Sequence, residues 1–164
     1  TRQLIEAMGS QLILNSTIGR GSAFSFSLEI GIVNELKPVA NLDGLDILLV
    51  DDDADLLAIY QLYLQDWGMQ VTCASDLPQA LELAHQDMFD LIMTDLHLLE
   101  DSGIDLLRVA KSKQKACKTI LCSGAGISPE WQPAVAELAD VFLLKPIRQE
   151  QLRSAIERVL GQEE

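Results

Sequence analysis

Asp46-Ile47-Leu48-Leu49-Val50-Asp51-Asp52-Asp53 is the stretch that decides the fold. A short apolar run stops abruptly at three carboxylates. Unbroken apolar runs of this length read as strands buried on both faces, as in a parallel sheet between helices. The same form recurs three times. Leu91–Thr94 ends at Asp95, Thr119–Cys122 ends at Ser123, and Val141–Leu144 ends at Lys145-Pro146. In open parallel α/β sheets, ligands bind in the crevice beyond the carboxyl ends of the strands. The sequence therefore predicts one acidic pocket holding Asp51, Asp52, Asp95, Ser123 and Lys145. Carboxylates, a hydroxyl and an ammonium together suit a divalent metal and a phosphoryl group.

Outward from these runs, strands alternate with helices. Strand 46–50 leads to helix 54–66, strand 69–73 to helix 77–86, and strand 90–94 through a loop to helix 103–112. Strand 119–122 leads to helix 129–138, and strand 141–144 to helix 149–160. Five such units predict a doubly wound α/β sheet with right-handed crossovers.

Upstream the pattern differs. Leu4, Ile5 and Met8 recur at helical spacing and Gly9 ends the run. Residues 11–16 and 23–30 read as two strands around the turn Gly19-Arg20-Gly21-Ser22, the second placing Phe24, Phe26, Leu28 and Ile30 on one face. About thirty residues of helix and hairpin cannot bury a core of their own. Residues 31–44 are aperiodic, with Pro38 and Gly44, and read as a linker. Three parts are expected: 1–30, linker 31–44, and domain 45–161.

The chain has 164 residues, 48% of them hydrophobic, enough for one ordinary domain plus a fragment. Twelve Lys and Arg face 25 Asp and Glu, a net charge of −13. Residues 1–33 are neutral overall, so the excess belongs to the later domain. Such a surface repels nucleic acid and anionic membrane. Cys73, Cys117 and Cys122 form no C-x-x-C pair and read as buried free thiols in a reducing cytosol. No stretch approaches the ~20 apolar residues of a membrane span, so a cytoplasmic location is expected. Any membrane anchor would lie in segments absent here, since a start at Thr1 reads as part of a longer protein.

Each strand-end residue has an ordinary alternative. Asp53 and Asp55 suit the cap and first turn of the helix from Ala54. That does not account for Asp51 and Asp52, whose mutual repulsion calls for a cation. Asp95 could merely cap a turn, or act as a nucleophile toward phosphorus. Ser123-Gly124-Ala125-Gly126 offers a hydroxyl with small neighbours. A Lys at a buried strand end needs a partner, and Asp95 or a phosphoryl oxygen supplies one. Pro146 shapes the turn, with a cis bond as one option. His85 reads as surface. His97, two past Asp95, reads as bordering the pocket.

With this set, residues 45–161 closely resemble the receiver domain of two-component response regulators. The resemblance implies a flavodoxin-like, five-stranded sheet of order 2-1-3-4-5. It implies Asp95 as phosphoacceptor, with Lys145 and Ser123 contacting the phosphoryl group. Mg²⁺ would be held by Asp52, Asp51, Asp95 and the backbone carbonyl of His97. Ser123 and Phe142 match the switch hydroxyl and switch aromatic. Phosphorylation would draw Ser123 in, turn Phe142 inward and reshape the face of helices 129–138 and 149–160. Leu99 stands where the family often has Pro, which leaves that loop freer, and Phe142 lacks the hydroxyl of the Tyr in many members.

Residues 1–30 resemble the end of a histidine-kinase ATP-binding domain, through Leu4-Ile5-Glu6-Ala7-Met8-Gly9 and Gly19–Leu28. Kinase tail, linker and receiver in that order look like a hybrid sensor histidine kinase, without kinase activity in this stretch. Implied partners are a kinase's catalytic and dimerisation region, a histidine phosphotransfer protein, and a second copy through the hairpin edge. Two other readings stand beside this one. A haloacid-dehalogenase-like phosphohydrolase would use Asp51 as nucleophile and Asp53 as the acid two residues on, but lacks a further acidic pair after Lys145. A phosphorylation-independent interaction domain would keep the fold alone.

Overall fold

The computed structural model describes residues 12–17, 21–26, 41–114 and 116–161. Two compact units divide the chain, Thr1–Lys37 and Pro38–Glu164. In the first, β1 (Leu12–Thr17) and β2 (Gly21–Phe26) pair antiparallel, Leu12 opposite Phe26 and Thr17 opposite Gly21. The expected helix 1–8, residues 18–20 and 27–30, the alternating aromatic face and most of the linker lie outside the described residues, while Gly21 and Ser22, expected in the turn, open β2.

The second unit is the predicted doubly wound sheet. Its strands are β3 (Asp46–Val50), β4 (Gln70–Ala74), β5 (Leu91–Asp95), β8 (Lys118–Ser123) and β9 (Val141–Leu144). Their spatial order is β4-β3-β5-β8-β9, all parallel, which is order 2-1-3-4-5 counted within this sheet. Helices α1 (Ala54–Asp66) and α5 (Gln149–Leu160) cover one face; α2 (Leu77–Gln86), α3 (Gly103–Lys113) and α4 (Gln132–Leu138) cover the other.

Strand parity builds the two cores. Ile47, Leu49, Leu91, Met93, Ile120, Cys122 and Val141 face α1 and α5, where Tyr60, Leu64, Leu152 and Ile156 meet them. Leu48, Val50, Ile92 and Leu121 face α2, α3 and α4, against Ala80, Ile104, Leu107 and Val135. Successive side chains point to opposite faces, so a continuous apolar run is what a doubly covered strand requires.

Local signals set the helix ends. The Asp53 side chain accepts from the N–H groups of Asp55 (2.9 Å) and Leu56 (3.1 Å), capping α1. Asp76 caps α2 through the Gln79 N–H, with Pro78 in the first turn. Helix α4 begins at Gln132 rather than 129. Ser128–Trp131 forms a turn closed by the Trp131 N–H donating to the Ser128 carbonyl, and Pro133 takes the first helical turn, where its missing N–H costs nothing. Between β5 and α3 the expected loop is a small hairpin, β6 (His97–Leu98) against β7 (Asp101–Ser102). Cys117 and Cys122 are buried free thiols, while Cys73, on edge strand β4, is half-buried.

Candidate functional site

Parity places the charged strand ends together. Counting on from the core residues, Asp51, Asp95 and Lys145 project to the α1/α5 side, as Leu49, Met93 and Leu143 do. The Lys145 ammonium donates to Asp51 Oδ2 at 2.6 Å and to Asp95 Oδ2 at 2.7 Å. All three side chains are largely buried: 12% of Lys145, 4% of Asp51 and 12% of Asp95 is exposed. Asp52 is exposed, and a carboxylate oxygen of each of Asp51, Asp52 and Asp95 lies within 4.8 Å of the others. The Lys145–Pro146 peptide bond is cis.

Burial pushes the Asp51 carboxyl above its ordinary range, although the Lys145 ammonium and the Asp53 N–H, 3.0 Å from Oδ1, pull it back. Burial disfavours the charged form of Lys145, but its hydrogen bonds to Asp51 and Asp95 outweigh this and raise its pKa. Three carboxylates against one ammonium leave two negative charges in the pocket. An all-oxygen donor set with that surplus suits a hard divalent cation.

The other predicted residues surround this centre. Ser123, fully buried, is one residue beyond Cys122, which pairs with Asp95. Its parity is opposite to that of the carboxylates, toward the α3/α4 face, and its hydroxyl accepts from the Ala125 N–H at 3.2 Å. Phe142 shares that face, half-buried against the core cluster that contains Leu121 and Val135. Ser123 and Phe142 thus share the α3/α4 side, while Lys145, Asp51 and Asp95 meet at the carboxyl ends of the strands. His97 is exposed, with its N–H 3.5 Å from Asp95 Oδ1. His85 lies on the exposed surface of α2. Asp53, the second acid of the phosphohydrolase reading, is committed to capping α1.

One contributor is weakly signalled in the sequence. Gly103 opens α3 directly against the end of β5, where a Cβ would stand 2.0 Å from the Asp95 carbonyl oxygen and 2.8 Å from Thr94 Oγ1. Only a glycine lets the helix start there. Its place eight residues after the strand-end Asp, next to capping Ser102, is the signal that marks it.

The fold and this arrangement define a phosphoacceptor module. The response regulator receiver domain family matches residues 47–157, and the chain belongs to that family. Its function is that of a phosphoacceptor in two-component signalling. The chain is 31% identical over 166 residues to sensor histidine kinase AruS of Pseudomonas aeruginosa, a match covering 97% of this chain and 17% of AruS. It is 31% identical to the transcriptional regulatory protein ZraR of Escherichia coli over 73% of this chain and 27% of ZraR. The chain therefore spans about a quarter or less of these relatives. Among solved structures, a receiver domain protein of Methanospirillum hungatei superposes with a TM-score of 0.69 at 26% identity, covering 73% of this chain and 96% of that one. A response regulator of Burkholderia pseudomallei, solved with a phosphorylated aspartic acid, a calcium ion and citrate, gives a TM-score of 0.62 at 29% identity over 67% and 65% of the two chains.

Proposed function

We propose that Asp95 is the phosphoacceptor, in a pocket completed by Lys145 and Ser123, and that Mg²⁺ is held by Asp51, Asp52, Asp95 and the His97 carbonyl. The observation that carries this reading is the ammonium of Lys145 bridging Asp51 and Asp95 beside exposed Asp52. The cation supplies charge neutralisation for an incoming phosphoryl group.

In the reaction, an Asp95 carboxylate oxygen bonds to phosphorus while the bond from phosphorus to the donor breaks. With phosphohistidine the P–N bond's electron pair returns to the imidazole, which leaves neutral if its second nitrogen carries a proton. With acetyl phosphate the leaving group is acetate. Lys145 is placed to follow one phosphoryl oxygen as it exchanges a carboxylate partner for a phosphoryl one. Ser123 would turn its hydroxyl from Ala125 toward another phosphoryl oxygen, and space on its side of the sheet would pass to Phe142. Because both residues belong to the α3/α4 side, the resulting change is directed at α4 and β9.

The three-part organisation supports a larger setting. The match to AruS runs through nearly the whole chain, including residues before the receiver. We read residues 1–30 as the end of a histidine-kinase ATP-binding domain, 31–44 as linker, and the parent as a hybrid sensor kinase. Its partners would be a kinase's histidine-bearing region and a phosphotransfer protein, in the cytoplasm. No helix among the described residues is long and apolar enough to cross a membrane. Peptide mapping of the phosphorylated chain tests the assignment. A hydroxylamine-sensitive adduct at Asp95 supports it, and one at Asp51 or Asp52 contradicts it.

A further inference from the structure

Just past Asp95 the chain makes a tight hairpin. His97 pairs with Ser102 and Leu98 with Asp101, leaving Leu99 and Glu100 as a two-residue tip. Leu99 has φ +56, the one positive φ at a non-glycine among the described residues. A tip of this length calls for positive φ at its first position, which glycine meets freely and a bulky side chain does not. Leu99 is also 75% exposed. Strain and exposed apolar surface therefore fall on one residue, and glycine would remove both. A strained residue persists where its surroundings over-determine it and points to function.

The hairpin is held firmly against the pocket. Leu98 is buried in the core, Ser102 caps α3, and the Gly103 N–H donates to the Leu96 carbonyl at 3.0 Å. Gly103 in turn packs on the Asp95 carbonyl. The tip is thus fixed four residues from Asp95, and most of the Leu99 side chain packs on nothing in the domain.

We propose that Leu99 is the apolar anchor for the histidine-bearing protein that exchanges a phosphoryl group with Asp95. It sets specificity for protein donors and leaves reaction with small donors unchanged. The inference rests on Asp95 as phosphoacceptor. The partner follows from place: a protein that brings an imidazole nitrogen in line with Asp95 must cover the pocket mouth, beside this tip. Its contact surface follows from chemistry. Glu100 and Asp101 directly follow Leu99, and Asp105 lies in the first turn of α3. The matching surface is an apolar hollow edged with Lys or Arg.

Leu99→Gly tests this, with Leu99→Asn as a polar side chain that tolerates positive φ. Three quantities are compared with wild type: the labelling rate with acetyl phosphate, the thermal midpoint, and kcat/KM for transfer from a panel of autophosphorylated histidine kinases that includes AruS. Both variants should keep the acetyl phosphate rate, melt at the same or a higher temperature, and lose roughly tenfold in transfer from the kinases that serve wild type. Equal transfer rates would overturn the proposal, as would a panel in which no kinase outpaces acetyl phosphate on wild type. A changed oligomeric state in Leu99→Gly would reassign the tip to contact between copies and overturn it too. No adduct from acetyl phosphate on wild type would sink the phosphoacceptor reading, and this proposal with it.

Discussion

Lys145 and Asp95, fifty residues apart in the chain, hold their charged atoms 2.7 Å from each other. The same ammonium lies 2.6 Å from Asp51, so one cation joins the ends of β3, β5 and β9. The two carboxylates hold the Lys145 pKa above its ordinary value despite burial. A raised lysine pKa means that its contribution to stability is fully present below about pH 10, the unfolded value. That contribution is lost as pH climbs through the folded value.

Lys145→Met leaves Asp51 and Asp95 facing each other without their cation. In metal-free buffer at pH 7.5 the variant should lose about 3 kcal/mol, the usual result of breaking a buried pair on one side. Added Mg²⁺ should restore part of this, and labelling by acetyl phosphate should fall by roughly two orders of magnitude. Urea titrations with and without Mg²⁺ provide the check. Equal stability of the two proteins in metal-free buffer would contradict the account.

Gly103→Ala forces a Cβ against the Asp95 carbonyl, so α3 or the end of β5 must move. Phosphorylation should drop far more than in Ser102→Ala, which removes the α3 cap and should cost about 1 kcal/mol with near-normal labelling. Comparing labelling rates of the two variants at matched folded fraction separates positioning from stability.

Asp140 sets an acid limit away from the pocket. Burial would raise its pKa, but the Lys111 ammonium at 2.7 Å and the Thr119 N–H at 2.7 Å overcome this and hold it below the ordinary carboxylate value. A lowered carboxylate pKa gives stability that is present above about pH 4 and lost as pH falls through the folded value. Asp140→Asn should cost about 1 kcal/mol at pH 7, discounted for the group's partial exposure. The difference from wild type should vanish in acid. Denaturation midpoints between about pH 2.5 and 7 measure it, and a constant difference would refute it.

Gln114 joins separate segments of backbone from a buried position. Its Oε1 accepts from the Phe89 N–H at 3.0 Å, and its Nε2 donates to the Asp87 carbonyl at 2.8 Å. Gln114→Ala strands both groups and should lower stability by about 2 kcal/mol, read by thermal or urea unfolding, without changing the labelling rate of folded protein.

Much of this is legible in the sequence because strand ends declare themselves: Val50, Thr94, Cys122 and Leu144 each precede a residue that has no place in a core. The strand order comes from the resemblance, and the structure bears it out. Facing is not legible. When both sheet faces are buried, the apolar pattern is the same on each. Nothing in a run such as Ile47–Val50 says that Asp51, Asp95 and Lys145 share one side and Ser123 and Phe142 the other. Apolar periodicity places the start of α4 three residues early, which would leave Pro133 in the helix interior rather than in its first turn. The β6–β7 hairpin carries no turn signal, because Leu99 is an improbable residue for positive φ.

The most direct test of the central claim is intact-protein mass after incubation with acetyl phosphate and Mg²⁺, for wild type, Asp95→Asn and Asp51→Asn. The account predicts one phosphoryl group on wild type, lost on chelation of the metal and absent from Asp95→Asn. An adduct that survives in Asp95→Asn and disappears in Asp51→Asn would contradict it.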